Sequence, residues 1–183
     1  MRKDDVQRPL DQIRRKDRAK DDAWIRAFLH RAAFGSLATV HDGQPFIVTR
    51  NFAYDEAAHA IYLHGAVKGR SYENVQADGR ACFAVSEMGR LLPAERAMNF
   101  GVEYAGVVVF GRTTIVTDDA EARRGLQLLL DKYFPHLRAG EDYAPVGDED
   151  LKVTAVYRIE IEGWSGKEKR AEADFPGAFL PAP

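Results

Sequence analysis

The sequence predicts a mainly β fold of the α+β type: six antiparallel strands forming a small barrel, with two or three helices packed outside it. Two observations carry this expectation. Most apolar segments alternate with a period of two and are joined by connections of hairpin length. The helical segments are also too few to supply the crossovers that a doubly wound parallel sheet needs. With 183 residues, 45% hydrophobic and 30% charged, the chain reads as one globular domain over residues 21–169. A charged arm (1–20) precedes it and an irregular, proline-rich tail (170–183) follows. No internal repeat or low-complexity segment interrupts the pattern.

The elements follow in order. Residues 1–20 mix both charge signs with almost no apolar side chains, so they are expected to be mobile or to order only against a partner chain. A helix comes next, capped by Asp21 or Asp22, with Trp24, Ile25, Phe28, Leu29 and Ala32 on one face. His30 falls off that stripe and reads as solvated. FGSLATV is a strand, the Asp42-Gly43 pair turns the chain, and PFIVTRNF returns as the second strand of a hairpin. After the loop YDEAAHA, a third strand ends in IYLHG, and a short helix with Tyr72 and Val75 stops near Gly79.

RACFAVSE is the fourth strand. Its Cys82, the single cysteine, reads as a buried small hydrophobe, and one cysteine excludes an intrachain disulfide or a clustered-thiolate metal site. Residues 90–102 read as irregular. EYAGVVVFGRTTIVT makes one bent strand or two, with Gly106 and Gly111 as bulge sites. Asp118 or Asp119 caps a helix bearing Ala122, Leu126, Leu129, Leu130 and Tyr133 on one face, and Pro135 ends it. The last strand, VTAVYRIEIEG, puts Val153, Ala155, Tyr157, Ile159 and Ile161 on one side and Arg158, Glu160 and Glu162 on the other.

A net charge of −2 gives no bulk attraction to nucleic acid or to an anionic membrane, so any basic site must be local. Apolar runs such as VVVF fall far short of a membrane span, and the N-terminus shows no signal-peptide core, so a soluble, cytoplasmic protein is expected. The usual dinucleotide, P-loop, zinc-protease and hydrolase signatures are absent, and the five histidines lack metal-ligand spacing.

The stretch IYLHGAVKGRSYENV, residues 61–75, concentrates the chemistry. Ile61 and Leu63 would face the core, with Tyr62 and His64 on the other side. Beyond His64, Lys68, Gly69 and Arg70 bring two cations and a glycine to the start of a helix, whose free N–H groups favour anions. A solvated basic turn has the same composition. A phosphate also fits this set of donors, and micromolar affinity would then require a flat apolar body buried beside it. A phosphorylated aromatic cofactor such as FMN meets both demands.

Residues 34–87 resemble the pyridoxamine 5'-phosphate oxidase-like flavin-binding split barrels, in particular the branch containing the nitroimidazole-resistance proteins. The motifs are Gly35-Ser36-Leu37-Ala38-Thr39 through Gly43 and Pro45, then Leu63-His64 through Ala66 and Gly69-Arg70, where Arg70 replaces the lysine usual in that branch. EYAGVVVFGRTTIVTDDAEARRGLQLLLDKYFP and YRIEIEGWSGK extend the likeness over most of residues 24–169. The resemblance implies a split barrel, a homodimer, and FMN at the subunit interface. It implies that Thr49, Arg50 and Asn51 line the isoalloxazine and that His64, Lys68, Gly69 and Arg70 serve the ribityl and phosphate end. Trp164 and Lys167 would approach from the partner subunit. For Trp164 interface packing, and for Arg50 a solvated strand position, are the plain alternatives.

The activity so implied is that of an FMN-dependent oxidoreductase passing hydride or electrons to a small electron-poor substrate, nitroimidazoles among the candidates. His64 is the expected proton donor or positioning group. Pyridoxamine 5'-phosphate oxidase activity is an alternative, although WSGKEKR lacks the Arg-Leu-His type motif that such oxidases use for the substrate phosphate. A non-catalytic flavin- or haem-binding module is another, because a fold does not fix a function.

Overall fold

The computed structural model describes residues 9–181; the first eight residues of the predicted arm and the last two of the tail lie outside these. Eight strands form one antiparallel sheet: β1 (Ala19–Lys20), β2 (Gly35–His41), β3 (Gln44–Arg50), β4 (Ala53–Asp55), β5 (Ala60–Ala66), β6 (Arg80–Leu92), β7 (Gly101–Ile115) and β8 (Thr154–Lys169). Their order is β3-β2-β6-β7-β8-β5-β4, with β1 added beside β8. The path ends at β3 and at β4 without closing, which makes the barrel split. The six long strands are those expected from the sequence, and β1 and β4 are short additions. Flanking them are α1 (Asp22–Arg31), α2 (Arg70–Ala77), α3 (Asp119–Tyr133) and α4 (Asp148–Val153). No helix among the described residues is long and apolar enough to cross a membrane.

Local chemistry sets the boundaries. The Asp21 carboxylate accepts from the Trp24 N–H at 2.9 Å and that of Asp118 from the Glu121 N–H at 2.8 Å, so α1 and α3 both start on capping aspartates. Asp42 and Gly43 adopt φ of 50° and 76°, the left-handed pair of a type I′ turn, whose twist matches that of the strands it joins. That turn fixes the hairpin register, pairing His41 with Gln44 and Gly35 with Arg50. Arg50 therefore ends β3.

The main core lies inside the barrel, where Ile25, Phe28 and Leu29 of α1 meet Leu37, Phe52, Ile61, Leu63, Phe83, Val107, Val109, Tyr157 and Ile159. A smaller cluster on the other face of the sheet packs Ala60, Tyr62 and Val156 against Ala122 of α3. β5 is thus buried on both faces, which explains how Tyr62 can point away from the main core and still be only 1% exposed.

Several expectations need correction. Cys82 is half-buried instead of buried, because the inward positions of β6 belong to Phe83 and Val85. Its cross-strand neighbours are Ala38 and Phe110 on the outer face, and partial burial raises its thiol pKa. Val153 ends α4 and is exposed, leaving Thr154 to begin the strand. Of the two glycines expected at bulges, Gly106 keeps register with Ser86 and Lys167. At the other, pairing with β8 jumps from Phe110–Gly163 to Gly111–Ile161. The segment 90–102 is largely strand, since β6 runs to Leu92 and β7 starts at Gly101.

A side-chain network explains that last difference. The Arg90 guanidinium donates to both Glu103 oxygens, at 2.7 and 3.1 Å, and to the carbonyls of Ala171, Glu172 and Ala173. The Ala171 N–H donates to Glu103 at 2.9 Å, and farther along the tail Phe179 bridges to Leu91. Hydrogen bonds from Arg90, then from the Ala171 and Arg90 N–H groups, hold the Glu103 carboxyl at about 2, below its ordinary 4.5. A folded-state value below the unfolded one stabilises the fold above about pH 4.5, and the contribution disappears as pH falls toward 2. The urea midpoint of the wild type should therefore fall across this window more steeply than that of Glu103→Gln. Parallel curves for the two proteins would refute the role given to Glu103.

Candidate functional site

β3, β5 and the start of α2 meet at a corner tied together by one side chain. From the end of β3, Arg50 donates through Nη1 to the His64 carbonyl at 2.7 Å and through Nη2 to Ser71 Oγ at 3.1 Å. The guanidinium also lies 5.5 Å from the Tyr157 ring centroid. A β-carbon on Gly65 would stand 2.5 Å from Arg50 Nη1, so the glycine after His64 makes room for the guanidinium. Arg50 Nε and His64 Nδ1 are both buried and have no hydrogen-bond partner.

Gly69 precedes α2 with φ of 98°, and no side chain caps that helix, so its first N–H groups are left for an anion. Lys68 and Arg70 flank it, both exposed. Neither forms an ion pair among the described residues; Arg70 instead lies 5.4 Å from the Phe46 ring centroid.

The His64 side chain points to the α3 side of the sheet. With Asn51 it lines a cleft of roughly 450 Å³ walled by Leu126, Leu129, Leu130, Tyr133 and Phe134 of α3 and its C-terminus, and by Val146 and Asp150 beyond them. Tyr133 is fixed there because its hydroxyl donates to the Ala33 carbonyl at 2.5 Å and accepts from the Phe52 N–H at 2.9 Å. Burial, and secondarily the Arg50 charge, lowers the His64 pKa below 6.5, so the ring is neutral at pH 7. In an NMR titration its midpoint should fall below 6.5. A value at or above 6.5 would show that the ring is solvated. The sign follows from linkage: stability from the neutral ring is complete above the unfolded value and is lost as pH falls through the folded one.

The remaining predicted residues are spread over both faces of the sheet. Thr49 points outward and pairs through its hydroxyl with Ser36 at 3.2 Å. Trp164 and Lys167 lie on opposite faces of β8, across from Val109 and Gly106 respectively. Trp164 is satisfied within its own chain, donating from Nε1 to Asp22 at 2.9 Å and packing edge-on against His59 and Tyr54. These contacts run to α1, β4 and the β4–β5 turn, not to the corner. Sequence reasoning missed Ser71, the buried hydroxyl that receives Arg50, because a serine after Gly-Arg carries no signal of its own. It also missed the cleft, although the apolar face of α3 was already visible in the spacing of Leu126, Leu129 and Tyr133.

An open antiparallel barrel with a helix N-terminus at such a corner defines a protein of the split-barrel class. Residues 21–168 match the family described as pyridoxamine 5'-phosphate oxidase, and the chain belongs to that family. No curated protein matches the sequence. Among solved structures, it is similar to the flavocytochrome Anf3 from Azotobacter vinelandii, at 24% identity and TM-score 0.73, over 87% of this chain and 73% of that one. An FAD and heme binding protein from Mycobacterium smegmatis is similar at 20% identity and TM-score 0.71, over 82% and 72% of the two chains. A protein assigned to 5-nitroimidazole antibiotic resistance, from Bacteroides thetaiotaomicron, is similar at 19% identity and TM-score 0.67, over 81% and 84%. At these identities the likeness is one of fold.

Proposed function

We propose that the chain binds a flavin at this corner and acts as an oxidoreductase toward a small, electron-poor substrate. The observation that carries the reading is the uncapped start of α2 between Lys68 and Arg70, which have no carboxylate partners among the described residues, at the corner where Arg50 Nε and His64 Nδ1 are buried without a partner. This set fits an FMN moiety. Lys68, Arg70 and the first N–H groups of α2 would hold the phosphate; Thr49, Arg50 and Asn51 would border the ring. When bound, a flavin supplies hydride and single-electron transfer. His64, neutral and half-buried, would hold a proton toward a substrate in the cleft. Nitroimidazoles belong to the class of acceptors that suits this arrangement. No lysine or arginine lines the cleft and Asp150 does, which disfavours a phosphorylated substrate such as pyridoxamine 5'-phosphate.

Two copies are part of this reading. Along the outer sheet face, Ile47, Ala38, Cys82 and Phe110 are successive cross-strand neighbours, as are Ser36, Ala84 and Val108. That small, apolar surface, with Ile47 66% exposed, is suited to cover by a second chain. Lys167 shares this face and is the better placed of the two residues expected to serve a partner's flavin. A second reading, a flavin or haem module without turnover, draws on the apolar cleft beside His64 and on the two structural neighbours whose names include haem or cytochrome.

The test begins with the absorbance spectrum of the purified protein, followed by flavin titration if it is colourless. Flavin bands at one per chain are expected, with affinity about 10- to 100-fold weaker in either Lys68→Ala or Arg70→Ala, since charge-assisted hydrogen bonds contribute about 1.5–3 kcal/mol each. An intense Soret band would favour the haem reading, and a colourless chain indifferent to flavin would overturn both. A His64→Ala variant with flavin bound and nitro-substrate turnover intact would remove the proton role.

A further inference from the structure

Among the described residues, the only carboxylate or fixed cation lining the cleft beside His64 is Asp150, brought there by α4. Two other acids share that short helix, and both are neutralised: Asp148 pairs with Arg123, and Glu149 with Lys152 at 2.5 Å. Asp150 has no ion-pair partner among the described residues. Its Oδ2 accepts from the Gly147 N–H at 2.8 Å, which fixes the side chain and leaves Oδ1 for something else. On the strand side of the cleft the polarity is reversed. Arg50 lies behind His64, donating to its carbonyl at 2.7 Å. The neutral imidazole, with Nδ1 buried and unpartnered, and the Asn51 amide supply hydrogen-bond donors there. Leu126, Leu129, Leu130 and Phe134 make the remaining wall apolar.

From this polarity we propose that the cleft selects a substrate carrying a protonated amine: a flat apolar body whose electron-poor, oxygen-bearing group meets His64 and Asn51 and whose ammonium meets Asp150. This inference rests on the flavin reading above and names the substrate class of the same site. The leucines and Phe134 take the apolar body whatever its charge. A neutral analogue keeps the wall and the donors but leaves Asp150 unused. An anionic one is repelled by Asp150 and finds no cation lining the cleft to compensate. Asp150 is exposed, so its pull is that of a solvated carboxylate, enough to sort substrates by charge but too weak to hold one alone. It is thus a specificity-determining residue, and the free Oδ1 is the atom that does the sorting.

The test uses three nitrobenzenes that differ in one group: para-nitrobenzylamine, para-nitrobenzyl alcohol and para-nitrobenzoate. Each is titrated at pH 7 and low salt into the full-length chain, with the His64 ring resonances as the readout. The amine should bind about fivefold more tightly than the alcohol, and the carboxylate about fivefold more weakly. Asp150→Asn keeps an oxygen for the Gly147 N–H and should bring the amine to the level of the alcohol. Equal affinity of the wild type for all three would overturn this inference alone, and that comparison holds whether or not the variant folds. Binding of none of them would overturn it too. So would an undiminished preference for the amine in folded Asp150→Asn, which would place the attraction elsewhere. The titration needs no flavin, so a charge preference in a chain that takes up no flavin would support the cleft assignment and overturn the flavin reading.

Discussion

An Arg50→Ala protein is expected to lose both its grip on flavin and about 2–4 kcal/mol of stability. One guanidinium joins the His64 carbonyl on β5 to Ser71 Oγ on α2, and Ser71 is only 8% exposed. Truncation leaves two acceptors without their donor at about 1–3 kcal/mol each, and replaces a half-buried planar group with space. Arg50→Lys keeps the charge but not the fork, so it should recover only part of the loss. Denaturant midpoints and flavin affinity for the three proteins measure this. If Arg50→Ala melts and binds like the wild type, the tie is not what holds the corner.

Gly111→Ala is the second large effect. A β-carbon there would lie 1.9 Å from the Glu160 carbonyl oxygen, a backbone atom in the neighbouring strand that cannot rotate away. The position coincides with the register jump that leaves Glu162 without a partner in β7. Relief would require β7 and β8 to separate along their longest pairing, so the cost should reach or exceed about 3 kcal/mol, the upper end for overpacking. Gly147→Ala is the control. Its nearest foreign atom, Asp150 Oδ2, is 3.7 Å away and its φ is −98°, so, as the N-cap of α4, it should lose no more than about 1 kcal/mol. Similar urea midpoints for the two variants would contradict the crowding at Gly111.

What the sequence disclosed, and what it hid, divides along the range of the forces involved. The Asp42-Gly43 turn, the aspartate caps and the alternation of Ala155, Tyr157, Ile159 and Ile161 are local signals, and each appears in the structure. β4 was concealed at Ala53–Asp55, running into the polar stretch YDEAAHA, because its pairing with β5 uses backbone groups that any side chain leaves available. The continuation of β6 to Leu92 depends on Glu103 and on carbonyls more than 80 residues farther along the chain. At the site, the position of His64 and the basic turn were legible from strand period and glycine placement. That Arg50 spends its donors on the protein itself was not, because its partners, His64 and Ser71, are brought to it only by the folded sheet.

The place of β8 in the sheet bears on how this protein can be made. Among the described residues, the group β3-β2-β6-β7 and the pair β5-β4 are joined within the sheet only through β8, the last of the described strands. A nascent polypeptide on the ribosome therefore carries two unfinished half-sheets with bare edges until residues 154–169 emerge. Completion of the sheet must wait for those residues, and during that interval the open edges are the surfaces on which a chaperone would act.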